Sequence, residues 1–197
     1  MNSIKSIKGI DIYLLDQIMK GRFSPTHKIL DLGCNTGRNM HWFINNHFDI
    51  KGIDPSIKAI ESLWIKYPHL KDKFKISTIE DCPFDHESFD HIICNAVLHF
   101  AKSTKHFYEM FDKLIGLCKT GQIFIRMTSD IGIENKVKEI KDGVYSIPDG
   151  STRFLLTSKI LETIKDKYPI SFIDPLKTVN VDGVRCMSTL VLKVLSR

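Results

Sequence analysis

The stretch ILDLGCNTGRN, residues 29–39, joins an apolar run to a glycine turn, with one carboxylate near the boundary. Gly33 and Gly37 carry no Cβ, so a ligand can approach the backbone closely there. Asp31 adds a negative charge, which attracts a cationic amine and repels a pyrophosphate. The dinucleotide fingerprint G-x-G-x-x-G, counted from Gly33, fails at Asn35 and Arg38. No Gly-Lys-Ser/Thr follows to cradle a nucleotide phosphate. Asp54, in GIDPS, is the next carboxylate at the end of an apolar run. A carboxylate there accepts both hydroxyls of a ribose, in charge-assisted bonds worth roughly 1.5–3 kcal/mol each. An amine acceptor and a ribose acceptor on adjacent strands describe a nucleoside joined to an amino acid.

Three more side chains form a candidate catalytic set for a second substrate: His99, Arg126 and Arg153. His99, in NAVLHF, is either a general base or a half-buried helix histidine. Arg126 interrupts an apolar run near its end, where a charge is costly unless paired. A substrate carboxylate or phosphate would pair it, and so would Glu134 or Asp149. Arg153 lies in the long segment 129–157, in the position of a pocket lid. Cys82, His86, His91 and Cys94 have metal-like spacing at first sight. His91 and Cys94 fall on opposite faces of a strand, so no metal site is expected.

These residues need elements to hold them. A helix capped by Asp11 carries Tyr13, Leu14 and Ile18 on one face and ends at Gly21. Lys28–Leu32 reads as a buried strand. A helix from Gly37 carries Met40, Phe43, Ile44 and His47. Residues 49–53 form a second strand, and Ser56 caps a helix whose inner face is Ile57, Ile60, Leu63 and Trp64. Strands follow at 74–78, 90–95 and 122–127. A helix from Thr104 buries Phe107, Met110, Phe111, Leu114 and Ile115, and Lys119-Thr120-Gly121 is a turn. The alternation predicts a parallel sheet covered on both faces. Segments 170–173 and 186–194 are strand-like with no helix-length stretch between them, so they must be antiparallel.

Composition sets the frame. A chain of 197 residues, 43% hydrophobic and 26% charged, suits one soluble domain over 1–197. No apolar run approaches the roughly 18–20 residues of a membrane span, and Asp11 and Asp16 interrupt the only apolar patch a signal peptide could use. Five cysteines without a CxxC pair argue against a disulfide framework and for a reducing, cytoplasmic setting. A net charge of +5 permits an anionic substrate, and the scattered lysines argue against nucleic acid.

Taken together, the motifs resemble those of class I methyltransferases that use S-adenosylmethionine, over most of the chain. ILDLGCNTGRN is similar to the family's first motif, which implies that Asp31, Gly33, Cys34, Asn35 and Gly37 hold the methionine end. GIDPS is similar to the second, with Asp54 on the ribose and Pro55 beside it. IEDCPFDHESFDHIICNAVLHF, residues 79–100, is similar to the third and fourth motifs together. It implies Glu80 or Asp81 beside the adenine and Asn95 next to the methionine portion. KTGQIFIRM resembles the turn and fifth strand that follow. The small tellurite-resistance and quinone-biosynthesis methyltransferases are the most similar branch.

The resemblance implies a Rossmann-like, doubly wound α/β fold. Its seven strands would run 3-2-1-4-5-7-6, with strand seven antiparallel. Residues 1–24 would cover the cofactor side, with Tyr13 either touching cofactor or packed in the core and Lys20 solvated. Arg38 would meet the cofactor carboxylate or a surface acid. Asn35 stands where the family most often has glycine, and asparagine tolerates left-handed backbone. The implied reaction is methyl transfer from S-adenosylmethionine to a small-molecule acceptor, leaving S-adenosylhomocysteine, with segment 129–157 shaping the acceptor pocket. An RNA methyltransferase would instead show a basic face with exposed aromatics, and a non-catalytic S-adenosylmethionine-binding module would hold cofactor without turnover. No Pro-Pro-aromatic follows Asn95, which sets aside transfer to amino nitrogens of DNA or protein. No motif encodes the acceptor or the oligomeric state.

Overall fold

The computed structural model describes residues 7–195; the first six residues of the expected N-terminal segment lie outside the described residues. Helix α1 (Ile12–Met19) starts where Asp11 accepts from the N–H groups of Tyr13 and Leu14. Strands β1 (Lys28–Leu32), β2 (Asp49–Asp54), β3 (Phe74–Ile76), β4 (Phe89–Asn95) and β5 (Cys118–Ser129) alternate with α2 (His41–Asn45), α3 (Ile57–Lys66) and α4 (Thr104–Leu117). After β5 come β6 (Lys138–Lys141), β7 (Val144–Ser146), β8 (Thr152–Phe154), α5 (Ser158–Lys167), β9 (Ile170–Phe172), β10 (Lys177–Val181) and β11 (Arg185–Val194).

The main sheet runs β3-β2-β1-β4-β5-β11-β10, with β9 also on β11. Strands β1 to β5 pair in parallel, and β11 lies antiparallel to β5, β9 and β10. That is the expected order, with strand six in two pieces. The break, at Asp174-Pro175, places a residue with no backbone N–H where a continuous strand would need a donor.

Alternating side chains feed two cores. Ile92 and Cys94 of β4 and Ile123, Ile125 and Met127 of β5 meet Phe107, Phe111 and Leu114 of α4 and Ile160 and Ile164 of α5. Ile93 and Phe124 turn the other way, toward Leu14, Met40, Phe43, Ile60 and Leu63. The helices thus divide over the two faces, and both faces of the central strands are dry.

Four local expectations change. The helix expected from Gly37 starts only at His41, because Met40 N–H bonds to Gly37 O in a tighter turn. His47, expected on that helix, is past its end with φ of 61°. Ile57, expected on the inner face of α3, is 57% exposed, and Ala59 is buried instead. Lys119-Thr120-Gly121 is no turn but part of β5, beside a register shift against Phe89 and His91. Segment 129–157 also forms its own antiparallel sheet, β6-β7-β8, which the sequence reading left without elements.

Gly121 carries a testable consequence. A Cβ there would lie 1.8 Å from the carbonyl oxygen of Asp90, in backbone that cannot swing aside. Gly121→Ala should lower stability by about 1–3 kcal/mol or more, since the β4–β5 ladder must shift. Urea unfolding at equilibrium reads this directly; an unchanged midpoint would contradict the close approach.

Candidate active site

The register aligns the strand ends that carry the candidate residues. Leu32 lies beside Ile53 and Cys94, and Asn95 beside Arg126. Past these ends the loop after β1 folds back, and the N–H groups of Gly33 and Cys34 both donate to Ile53 O, at 2.8 and 2.9 Å. Gly33 has φ of +73°, and a Cβ on it would come 2.4 Å from Val97. Asn35 adopts φ of 48°, so asparagine does hold the left-handed position of the turn. Its side-chain oxygen accepts from Thr36 N–H at 2.7 Å, which spends it on the turn.

Asp54 ties this loop to the next. One of its carboxylate oxygens accepts from Asn35 N–H at 2.8 Å and the other from Ser56 N–H at 2.9 Å. A carboxylate has about four acceptor sites, so two remain for hydroxyl donors.

A cavity of about 590 Å³ opens between these loops. Gly33, Cys34, Asn35, Arg38, Asp54, Pro55 and Asn95 line it, all of them expected site residues. Thr36, Asn39, Ala96, Val97 and Phe100 line it too and were not singled out by the sequence reading. A second hollow shares Pro55 and continues past Ser77, Thr78 and Asp81. Glu80 turns elsewhere, to the imidazole of His106, so of the acidic pair only Asp81 borders this space.

Of the six side chains that keep a buried polar atom without a partner among the described residues, two are expected cofactor residues. Asn95 has neither its amide oxygen nor its nitrogen bonded, and Asp31 has a free Oδ2. Each such atom costs roughly 1–3 kcal/mol in the free protein. Burial pushes the Asp31 carboxyl up to about 8, with Arg38 acting to lower it and Asp54 to raise it further.

The candidate catalytic set lies outside the cavity lining. Arg126 was expected to pair with substrate, Glu134 or Asp149. It pairs instead with Asp11 at 2.7 Å and stacks on Tyr13, whose ring centre is 5.0 Å away. Asp11 N–H in turn donates to Asn39 of the cavity wall at 3.0 Å. Tyr13 therefore packs under an arginine, and α1 is latched to the site by its own cap. His99 is buried, not half-buried; its Nδ1 faces Thr128, 3.4 Å from the N–H and 3.0 Å from the hydroxyl. Burial, with Arg153 and Arg185 nearby, pushes its imidazole down to about 4, so the ring is neutral near pH 7. With Nδ1 accepting, the ring offers Nε2–H as a donor rather than a base. Arg38 donates to Gly9 O at 3.3 Å, and no surface acid pairs with it among the described residues.

The Asp31 geometry makes a stability prediction. A carboxyl that binds its proton more tightly folded than unfolded loses stability as pH rises from about 4 to about 8. Asp31→Asn should therefore raise the melting temperature of the free protein, by roughly 5 °C near pH 8 and little near pH 5. Thermal unfolding across pH tests this; a difference that does not grow with pH would refute the unpaired burial.

Known proteins bear on this site. Residues 30–125 match the family model described as "Methyltransferase domain", which runs from within β1 to within β5. No curated protein matches the chain. An S-adenosylmethionine-dependent methyltransferase structure from Methanosarcina mazei superposes with a TM-score of 0.74 at 16% identity, over 91% of this chain and 98% of that one. The 1,6-didemethyltoxoflavin-N1-methyltransferase of Burkholderia thailandensis, with bound S-adenosylhomocysteine, gives 0.69 at 14%, over 97% and 79%. The magnesium protoporphyrin IX methyltransferase of Synechocystis, with bound S-adenosylmethionine, gives 0.68 at 13%, over 95% and 79%. At such identities the structures speak for the fold, and the family match speaks for the chemistry at the strand ends. The match over residues 30–125 and the fold around it together support an S-adenosylmethionine-dependent methyltransferase of class I.

Proposed function

We propose that the chain methylates a small-molecule acceptor, held against the apolar wall of the cavity. The observation that supports this most is the unpartnered Asn95 amide on the wall of a cavity of about 590 Å³, with the unpartnered Asp31 Oδ2 buried on the neighbouring strand β1. The donor set fits S-adenosylmethionine. Asp31 would neutralise its ammonium, Asp54 would accept from the ribose hydroxyls, Asp81 would border the adenine, and Asn95 would satisfy the methionine portion. The cofactor supplies a methyl group already activated on a sulfonium.

The protein's share of the chemistry is then placement and exclusion of water. Arg126 acts here by holding Asp11, and so α1, over the site. His99 keeps a neutral ring behind Phe100 and has no free acceptor nitrogen for proton removal. An acceptor atom that need not give up a proton to the protein suits such a site.

Asp54→Ala should weaken S-adenosylmethionine binding roughly 10- to 100-fold, from one or two lost charge-assisted bonds. Calorimetry reads this, and unchanged affinity would sink the assignment. A screen of small-molecule acceptors with methyl-labelled cofactor tests the reaction; labelling of RNA in place of every small acceptor would reverse the reading.

A further inference from the structure

The cavity wall beyond Asn95 consists of Ala96, Val97 and Phe100. Phe100 is 58% exposed. It is nevertheless fixed: His99 packs edge-on with ring centres 4.6 Å apart, and the Arg153 guanidinium sits 5.0 Å from the ring centre. A large ring held in place and left open at a cavity wall is a platform for a planar apolar group.

Arg153 adds a charge to that platform. It comes from β8 of the small sheet, opposite Tyr145 on β7. Its one side-chain hydrogen bond among the described residues goes to Thr152 O, at 2.7 Å, and it forms no ion pair among them. Asp149, a carboxylate within electrostatic reach of both Arg185 and Arg153, pairs with Arg185 at 3.6 Å and accepts from Ser151. With Asp149 paired to Arg185, the Arg153 guanidinium stays without an ion pair among the described residues, beside an open aromatic face. A guanidinium has five N–H donors in a planar fork that matches a carboxylate or phosphate.

We propose that the acceptor is a planar molecule bearing a carboxylate or phosphate, its planar part on Phe100 and its anionic group on Arg153. Arg153 is then a specificity-determining residue, supplied by the sheet inserted after β5. The inference rests on the small-molecule reading of this same site and narrows it to a chemical class.

The test is calorimetry on protein saturated with S-adenosylhomocysteine, titrated with benzoate, phenyl phosphate and benzamide. At least one of the two anions should bind about 10-fold or more tightly than benzamide, and the stronger of the two identifies the anionic group. Arg153→Gln should erase that preference, and Arg153→Lys should keep part of it. Phe100→Ala, at an exposed position, should weaken all three probes. Equal binding of anions and benzamide, no binding of either anion, or an intact preference in Arg153→Gln would overturn the proposal. Failure of the unaltered protein to bind S-adenosylhomocysteine would instead overturn the cofactor assignments.

Discussion

The site depends on the Asp54 carboxylate. Its two oxygens hold the N–H groups of Asn35 and Ser56, so one side chain fixes the loops after β1 and β2 at once. Charge-assisted bonds of this kind contribute roughly 1.5–3 kcal/mol each. They hold Asn35 in left-handed backbone, which asparagine adopts less readily than glycine. The same carboxylate keeps capacity for two further donors. A hydroxyl donor entering the cavity would therefore meet an acceptor whose position is already set, and little ordering would remain to oppose binding.

Around this fixed point the protein tolerates unsatisfied groups. Asp31 and Asn95 are buried with polar atoms that find no partner. A core under selection for stability alone would replace them, since each lowers the stability of the free state. Their retention makes sense where a bound molecule satisfies them. Arg126 shows the contrary case. It too is a polar group at a strand end, but Asp11 and Tyr13 absorb it, and only its Nε is left unpartnered.

Much of this was legible in the sequence. The parallel core reads from apolar runs of strand length, and the caps at Asp11 and Ser56 read from side-chain chemistry local to each helix. The acids at strand ends point to the ligand class. What was hidden depends on distance or on weak pattern. The Arg126–Asp11 pair spans 115 residues, and Glu80 is drawn to His106 across 26. No spacing rule couples such positions. Strand β10, KTVNV, is half-exposed at a sheet edge and lacks a buried alternation, so no strand pattern marks it. Strand β6, KEIK, is exposed at all four positions and offered no signal at all. The start of α2 was misplaced because Gly37 to Met40 closes a tighter turn than a helix.

The break in strand six has a consequence for synthesis. Asp174, at that break, binds Gln17, Lys20 and Arg22 at the end of α1, across 152 to 157 residues of chain. The other end of α1 is latched by Asp11 to Arg126. On the ribosome, β1 to β4 and their helices can assemble as they emerge, but the ion pairs at the far end of α1 must wait until Asp174 arrives. The loops after β1 and β2 are thus among the earliest parts of the chain to be made, and the helix tied to them through Asp11 and Asn39 is among the last to be fully secured. The nascent chain would carry those loops beside a half-secured helix for most of its synthesis.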